Sequence, residues 1–209
     1  SSLADIFVLQ EKMKEAVSIY EELIKKEKDS DLLYFNLGVI YSRMGKVDAA
    51  IESLKEAIRL NPRYLEAHLG LAVLYEMKED LTTAIQRYET ALEIDPSNTQ
   101  VYRYLALALY KAGRIDEAEA KYAQLIELDP GDVYAYIDWA NMYITRKMPD
   151  EALAILSKAV KAGIRDSDLY TAIGYVHSLK DKTGKDVLKF YKMALDLKPD
   201  NSRTHFFLA

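Results

Sequence analysis

The stretch Asp31–Tyr64, "DLLYFNLGVIYSRMGKVDAAIESLKEAIRLNPRY", decides the fold. With Asp31 as place 1, Tyr34, Leu37, Gly38 and Tyr41 fall at places 4, 7, 8 and 11, and Ala50, Leu54 and Ala57 at places 20, 24 and 27. Residues three, four or seven apart share one face of a helix, so each set forms an apolar stripe. Between the stripes, "RMGKVD" supplies a glycine-containing turn, and Pro62 at place 32 stops the second helix. The stretch therefore predicts two amphipathic helices folded into a hairpin.

The pattern recurs every 34 residues. Residues 65–98 repeat it with His68, Leu71, Ala72, Tyr75, Ala84, Tyr88, Ala91 and Pro96, and residues 99–132 with Tyr102, Leu105, Ala106, Leu109, Ala118, Tyr122, Leu125 and Pro130. Residues 133–166 carry Tyr136, Trp139, Ala140, Tyr143, Ala152, Leu156 and Ala159, and residues 167–201 carry Tyr170, Ile173, Gly174, His177, Val187, Tyr191, Ala194 and Pro199. Partial copies fill residues 1–30 and 202–209. In the first of these, Leu3, Ala4 and Phe7 belong to one helix and Ala16, Tyr20 and Leu23 to the next. Small residues at places 8 and 20 let paired helices approach, and an Asn or Asp at place 34 (Asn98, Asp132, Asn201) is positioned to cap the helix that follows.

These residues resemble the tetratricopeptide repeat family, whose unit reads W-x2-L-G-x2-Y, then A-x3-F, then P. The resemblance extends over essentially the whole chain and implies an all-α, right-handed superhelical solenoid of helix-turn-helix hairpins, a single array over residues 1–209. A hairpin cannot bury its apolar face alone, so neighbours must stack. Because the array begins and stops inside a repeat, a segment of a longer repeat protein is expected.

One beat is dropped. The proline due at position 164 is Ile164, within "KAGIRD" at Lys161–Asp166, and the next arrives one residue late, at Pro199. Gly163 is suited to a left-handed helix stop, with Ile164 making the apolar contact beyond it and Asp166 capping the next helix. The late proline follows from one extra residue in "KDKTGKD", Lys180–Asp186. A local change of twist or mobility is expected around residues 161–186.

Composition narrows the function. Of 209 residues half are apolar and 29% are charged, as in a folded globular chain, and a net charge near −5 argues against general nucleic-acid binding. With no cysteine there are no disulfides and no thiolate chemistry. No apolar run approaches the roughly 20 residues needed to span a bilayer, so no membrane insertion is expected. A signal peptide is not visible, and a cytoplasmic setting is the expectation.

Catalysis finds no support. His68, His177 and His205 occupy framework places 4, 11 and 4, where other copies carry tyrosine, so they read as packing aromatics. The Gly-Lys of "KDKTGKD" lacks the leading glycine and the Ser/Thr of a phosphate loop. No enzyme activity, cofactor or metal is expected.

The resemblance implies that the first helices line a concave groove through places 2, 5, 6, 9, 12 and 13. The expected lining is Phe35, Val39 and Arg43 in residues 31–64, then Leu69 and Val73 in residues 65–98. Residues 99–132 add Arg103, Tyr104, Leu107, Tyr110 and Lys111. Tyr134, Ile137 and Asn141 follow in residues 133–166, and Tyr175 in residues 167–201. Eleven of the sixteen tyrosines fill framework places, while Tyr64, Tyr104, Tyr110, Tyr134 and Tyr175 do not. A basic spot at Arg103 and Lys111 adjoins an acidic one at Glu66 and Glu76. Such a surface suits a peptide or helix of a protein partner. The clamp that relatives use on chaperone C-terminal carboxylates is not expected: Asn36 matches its middle member, but Ser1 and Asp5 precede it and Glu66 and Gly70 follow. Two alternatives stand beside peptide binding. One is self-assembly into a homo-oligomer through uncapped ends, and the other is service as the targeting or regulatory arm of a larger enzyme.

Overall fold

The computed structural model describes residues 3–181 and 184–208, with side chains from residue 11 onward. The described residues form twelve helices and no strand. Contacts divide the chain into two compact units, residues 1–113 and 114–209, with the boundary between the two helices of the repeat expected over 99–132.

The N-terminal unit contains α1 (Leu3–Lys26), α2 (Asp31–Arg43), α3 (Val47–Leu60), α4 (Leu65–Met77), α5 (Leu81–Ile94) and α6 (Thr99–Lys111). The C-terminal unit contains α7 (Ile115–Leu128), α8 (Val133–Thr145), α9 (Pro149–Lys161), α10 (Ser167–Lys180), α11 (Lys185–Leu197) and α12 (Ser202–Leu208). Within each unit, consecutive helices pack as hairpins (α2 on α3, α4 on α5, α8 on α9, α10 on α11), and each hairpin packs on the next.

The small-residue places are where the helices touch. Ala50, Ala84, Ala118 and Ala152, all at place 20, are fully buried, as are Ala57, Ala91, Ala159 and Ala194 at place 27. Large side chains at place 24 (Leu54, Tyr88, Tyr122, Leu156) are also buried and fill the remaining space. At Gly174 the approach is closest, since a Cβ there would lie 2.7 Å from the Tyr191 ring.

Two kinds of stop punctuate the chain. In four of the hairpins place 15 adopts a left-handed backbone in glycine and non-glycine alike: Gly45 (φ 72°), Glu79 (φ 61°), Gly113 (φ 77°) and Lys147 (φ 60°), whereas Asp181 at that place after α10 is extended (φ −148°). The hydrogen bonds Gly45 N–H to Ser42 O (3.0 Å) and Lys46 N–H to Tyr41 O (2.9 Å) close a Schellman turn, which recurs at Asp80 N–H to Tyr75 O and Met148 N–H to Tyr143 O. Between repeats, the residue before the proline (Asn61, Asp95, Asp129, Lys198) is extended, with ψ of 87° to 91°, because the proline ring excludes the helical conformation there. Asn98, Asp132 and Asn201 then cap as expected, accepting from the amides of Val101, of Tyr134 and Ala135, and of Thr204.

At "KAGIRD" the first kind of stop replaces the second. Gly163 has φ 85°, its N–H bonds Val160 O at 3.0 Å, and Ile164 N–H bonds Ala159 O at 3.1 Å. Asp166 caps α10 by accepting from the amides of Asp168 and Leu169. Residues 182 and 183 of the turn that carries the extra residue lie outside the described residues.

One expectation is corrected. Residues 3–26 form a single helix of 24 residues, where the spacing predicts the end of one helix and the start of another. Glutamate or lysine at place 15 does not by itself prevent a turn, as Glu79 and Lys147 show. The difference lies one and two places later. Asp80 caps α5, accepting from Thr83 N–H, and Pro149 opens α9, whereas the corresponding Lys12 and Met13 neither cap nor start a helix. With strong helix formers from Leu9 to Ala16, across the place where the turn would fall, α1 runs on. The expected packing of Leu3, Ala4 and Phe7 lies outside the described side chains.

Candidate functional site

The first helices of the hairpins carry the candidate surface, and their exposed apolar side chains are not scattered. In α2, α4, α6, α8 and α10 the large hydrophobic residues left exposed are Leu32, Val73, Met77, Leu107, Tyr134 and Leu179. Each of them stands at place 2, 9 or 13 of its repeat, places expected to line the groove.

In the N-terminal unit, Val73 (46% exposed) and Leu107 (41%) present bare apolar surface. Val39, Leu69 and Tyr110 are half-buried beside them, and Arg43 and Lys111 are exposed. The ring of Phe35 packs 4.9 Å from that of Tyr64, and Tyr104 lies 6.0 Å from Tyr88 while its hydroxyl accepts from Gln100 Nε2 at 2.7 Å. Arg103 is half-buried. The acidic and basic spots do not stand apart: Lys111 Nζ bonds Glu76 Oε2 at 2.7 Å, and the Tyr88 hydroxyl donates to Glu76 Oε1 at 2.7 Å. Burial, then this bond, pushes the Tyr88 phenol well above the usual tyrosine range. Lys111 and Glu76 thus tie α6 to α4, and Glu66 keeps its exposed position.

In the C-terminal unit, Tyr134 is half-exposed and its hydroxyl donates to Asp168 Oδ2 at 3.3 Å. Asn141 is half-buried. Tyr175 is half-buried too, with Phe207 of α12 stacked 4.8 Å away, and it lines a cavity of about 320 Å³ with Ile144, Lys147, Pro149 and Leu179. Ile137 does not line the surface: it is 4% exposed and belongs to the core. The cause is its register. In this unit place 5 is covered: α8 packs on α10, and Thr171, at the same place one repeat later, is buried with its hydroxyl 2.6 Å from that of Thr204 in α12.

The histidines have structural partners. His68 Nε2 lies 3.0 Å from Pro62 O and His205 Nε2 2.8 Å from Pro199 O, the position from which the Tyr136 hydroxyl donates to Pro130 O at 3.3 Å. An aromatic side chain with a polar tip at place 4 thereby satisfies the carbonyl of the preceding repeat's proline. His177 stacks on Phe190 at 5.4 Å.

The spacing of residue types did not reveal an opening between α2 and α4, lined by Phe35, Gly38, Val39, Ser42, Arg43, Leu54, Glu66, Gly70 and Leu74, of about 250 Å³. The signal available in the sequence was the pair Gly38 and Gly70, both facing Leu54.

Family models for the tetratricopeptide repeat match residues 1–32, 35–99, 78–133 and 109–173. The chain belongs to the tetratricopeptide repeat family. Its members generally mediate protein–protein interactions and are typically non-catalytic scaffolds. No curated protein matches the chain. Among solved structures, the C-terminal part of a TPR repeat-containing protein from Cytophaga hutchinsonii is 17% identical with a TM-score of 0.75, covering 98% of this chain and 82% of that one. MamA is 24% identical with a TM-score of 0.65, covering 78% of this chain and 95% of its own. YrrB, described as a TPR protein with an unusual peptide-binding site, is 21% identical with a TM-score of 0.60, covering 90% and 96%. At these identities the likeness is one of tetratricopeptide repeat fold. No helix among the described residues is long and apolar enough to cross a membrane.

Proposed function

We propose that this chain is an interaction module that holds a peptide or helix of a protein partner on the face of its first helices. One observation carries the proposal: every exposed large hydrophobic side chain on α2, α4, α6, α8 and α10 falls at a face place. Within each unit, apolar side chains left bare at these places are what a partner's anchors would cover. YrrB, with its peptide-binding site, supplies a precedent on the same fold.

The mechanism is preorganisation. Buried alanines and Schellman turns fix α2, α4 and α8, and the Glu76–Lys111–Tyr88 contacts fix α4 against α6 and α5. Binding then orders the partner while ordering little of this chain, so less entropy opposes it than at a flexible site.

Affinity capture with the full chain tests this. Partner recovery should fall sharply when Tyr104→Ala and Tyr134→Ala are combined, with helix content unchanged by circular dichroism. Undiminished recovery by the folded double variant would move the site off this face.

A further inference from the structure

The face of the N-terminal unit carries a hole as well as bare side chains. α2 and α4 approach each other, and Gly38 and Gly70, one from each, line an opening beside them. A Cβ on Gly38 would lie 2.9 Å from Leu54 Cγ and Cδ2, and a Cβ on Gly70 would lie 2.9 Å from Leu54 Cδ1. Leu54 belongs to α3, the layer behind, and is 2% exposed. Its two methyl groups therefore form the floor of an opening that a side chain at either glycine would narrow. Phe35, Val39 and Leu74 wall it, and the volume is about 250 Å³. Clefts that enclose whole small molecules run from about 300 to 1,000 Å³, so this one is the size for a single side chain.

The mouth has a charge pattern of its own. Arg43 and Glu66 are both exposed at the rim, and neither makes a hydrogen bond or ion pair among the described residues. Elsewhere on this face the charges of Glu76 and Lys111 meet each other. An apolar hole between an unpaired cation and an unpaired anion complements a segment with an apolar anchor and opposite charges on either side.

We propose that this pocket takes the aliphatic side chain, leucine or methionine, of a protein partner's peptide segment, with an acidic residue beside Arg43 and a basic one beside Glu66. The proposal rests on the groove function above and names the anchor for that face. A methyl floor and a volume of one side chain favour a flexible aliphatic group over a charged one, which would lose its hydration without a partner.

The test selects a random dodecapeptide display library on the full chain and measures the enriched peptides by fluorescence polarisation. The expected peptides share a leucine or methionine flanked by an acid and a base. Gly70→Leu, which fills the pocket from the chain's own side, should weaken them about tenfold or more. Arg43→Glu should weaken them several-fold, and exchanging the peptide's acid for lysine should recover binding to that variant. Leucine methyl NMR should show both Leu54 methyls shifting on peptide addition. If the peptides lose affinity to Val73→Asp with Leu107→Asp but bind Gly70→Leu and Arg43→Glu as the wild type, the pocket is refuted and the groove function stands. If the peptides ignore all of these variants, both fall. Should Gly70→Leu fail to fold, Arg43→Glu with its charge-exchanged peptide and the Leu54 methyl shifts decide the question.

Discussion

The Tyr88 hydroxyl donates to one carboxylate oxygen of Glu76 at 2.7 Å, while Lys111 bonds the other at the same distance. Three helices, α5, α4 and α6, thus meet on one carboxylate. Tyr88 is 1% exposed, so its ring packs and its hydroxyl is spent on that bond. Tyr88→Phe should keep the packing and lose the bond, costing about 1–3 kcal/mol in urea unfolding with no change in slope.

The same burial sets a pH dependence. Tyr41, Tyr64, Tyr88, Tyr136, Tyr143 and Tyr191 are all held above the usual tyrosine value of 10.0, in each case chiefly by burial. A phenol whose folded pKa exceeds its unfolded one gives stability that is complete below the unfolded value and lost as pH rises toward the folded one. Stability should therefore be unaffected by these groups up to about pH 9 and fall steeply above about pH 10. Tyrosinate absorbance followed alongside circular dichroism checks it: the buried phenols should ionise together with loss of helix. Full ionisation of all sixteen tyrosines with the helices intact would contradict the burial.

Glu79 and Lys147 occupy the left-handed place that Gly45 and Gly113 fill elsewhere. A non-glycine residue there costs about 1–2 kcal/mol, partly offset in glycine by its greater freedom when unfolded. Glu79→Gly and Lys147→Gly should each raise stability by about 0.5–1 kcal/mol, and Gly45→Ala should lower it. Thermal melts measure all three.

Glycines at close approaches should differ by what they meet. At Gly174 an added Cβ meets the buried Tyr191 ring at 2.7 Å, and at Gly38 it meets Cγ and Cδ2 of the buried Leu54 at 2.9 Å and the backbone Ala50 O at 3.3 Å. Alanine gains about 0.8–1 kcal/mol of helix propensity at either site. Overpacking costs about 1–3 kcal/mol where the neighbour cannot yield. Gly174→Ala should therefore destabilise clearly, and Gly38→Ala, whose contacts are longer, should destabilise less, by the same melts. Ala118→Leu, at a fully buried seam, should lower the melting temperature outright.

His68 can be tested by shape and by tip. His68→Phe keeps a ring but leaves Pro62 O without its bond, costing about 1 kcal/mol, and His68→Tyr should recover much of it, as Tyr136 serves Pro130. Equal melts for both variants would show that the bond contributes nothing.

The sequence carries its fold openly because its signals are local. Ala50, Ala84, Ala118 and Ala152 recur at one spacing, and each marks a buried helix contact. Gly163 announced its stop through residue type alone. What stayed hidden depends on neighbours in space. Whether Ile137 faces solvent is decided by packing along the array, and whether Lys111 is available to a partner is decided by Glu76, 35 residues away. The continuous α1 is not legible from spacing, because the stripes on either side of Glu11 fit the repeat and only the lack of a cap or proline at Lys12 and Met13 distinguishes it. The opening over Leu54 needs two glycines from different repeats and a leucine from a third helix, a coincidence that spacing alone does not display.

The central claim is that the first-helix face binds the partner. Amide NMR of the full chain, titrated with the peptides selected above, tests it most directly. The predicted result is a set of shifts concentrated on α2, α4, α6, α8 and α10 around Val73, Leu107 and Tyr134. Shifts confined to the outer faces of α3, α5, α9 and α11 would contradict it.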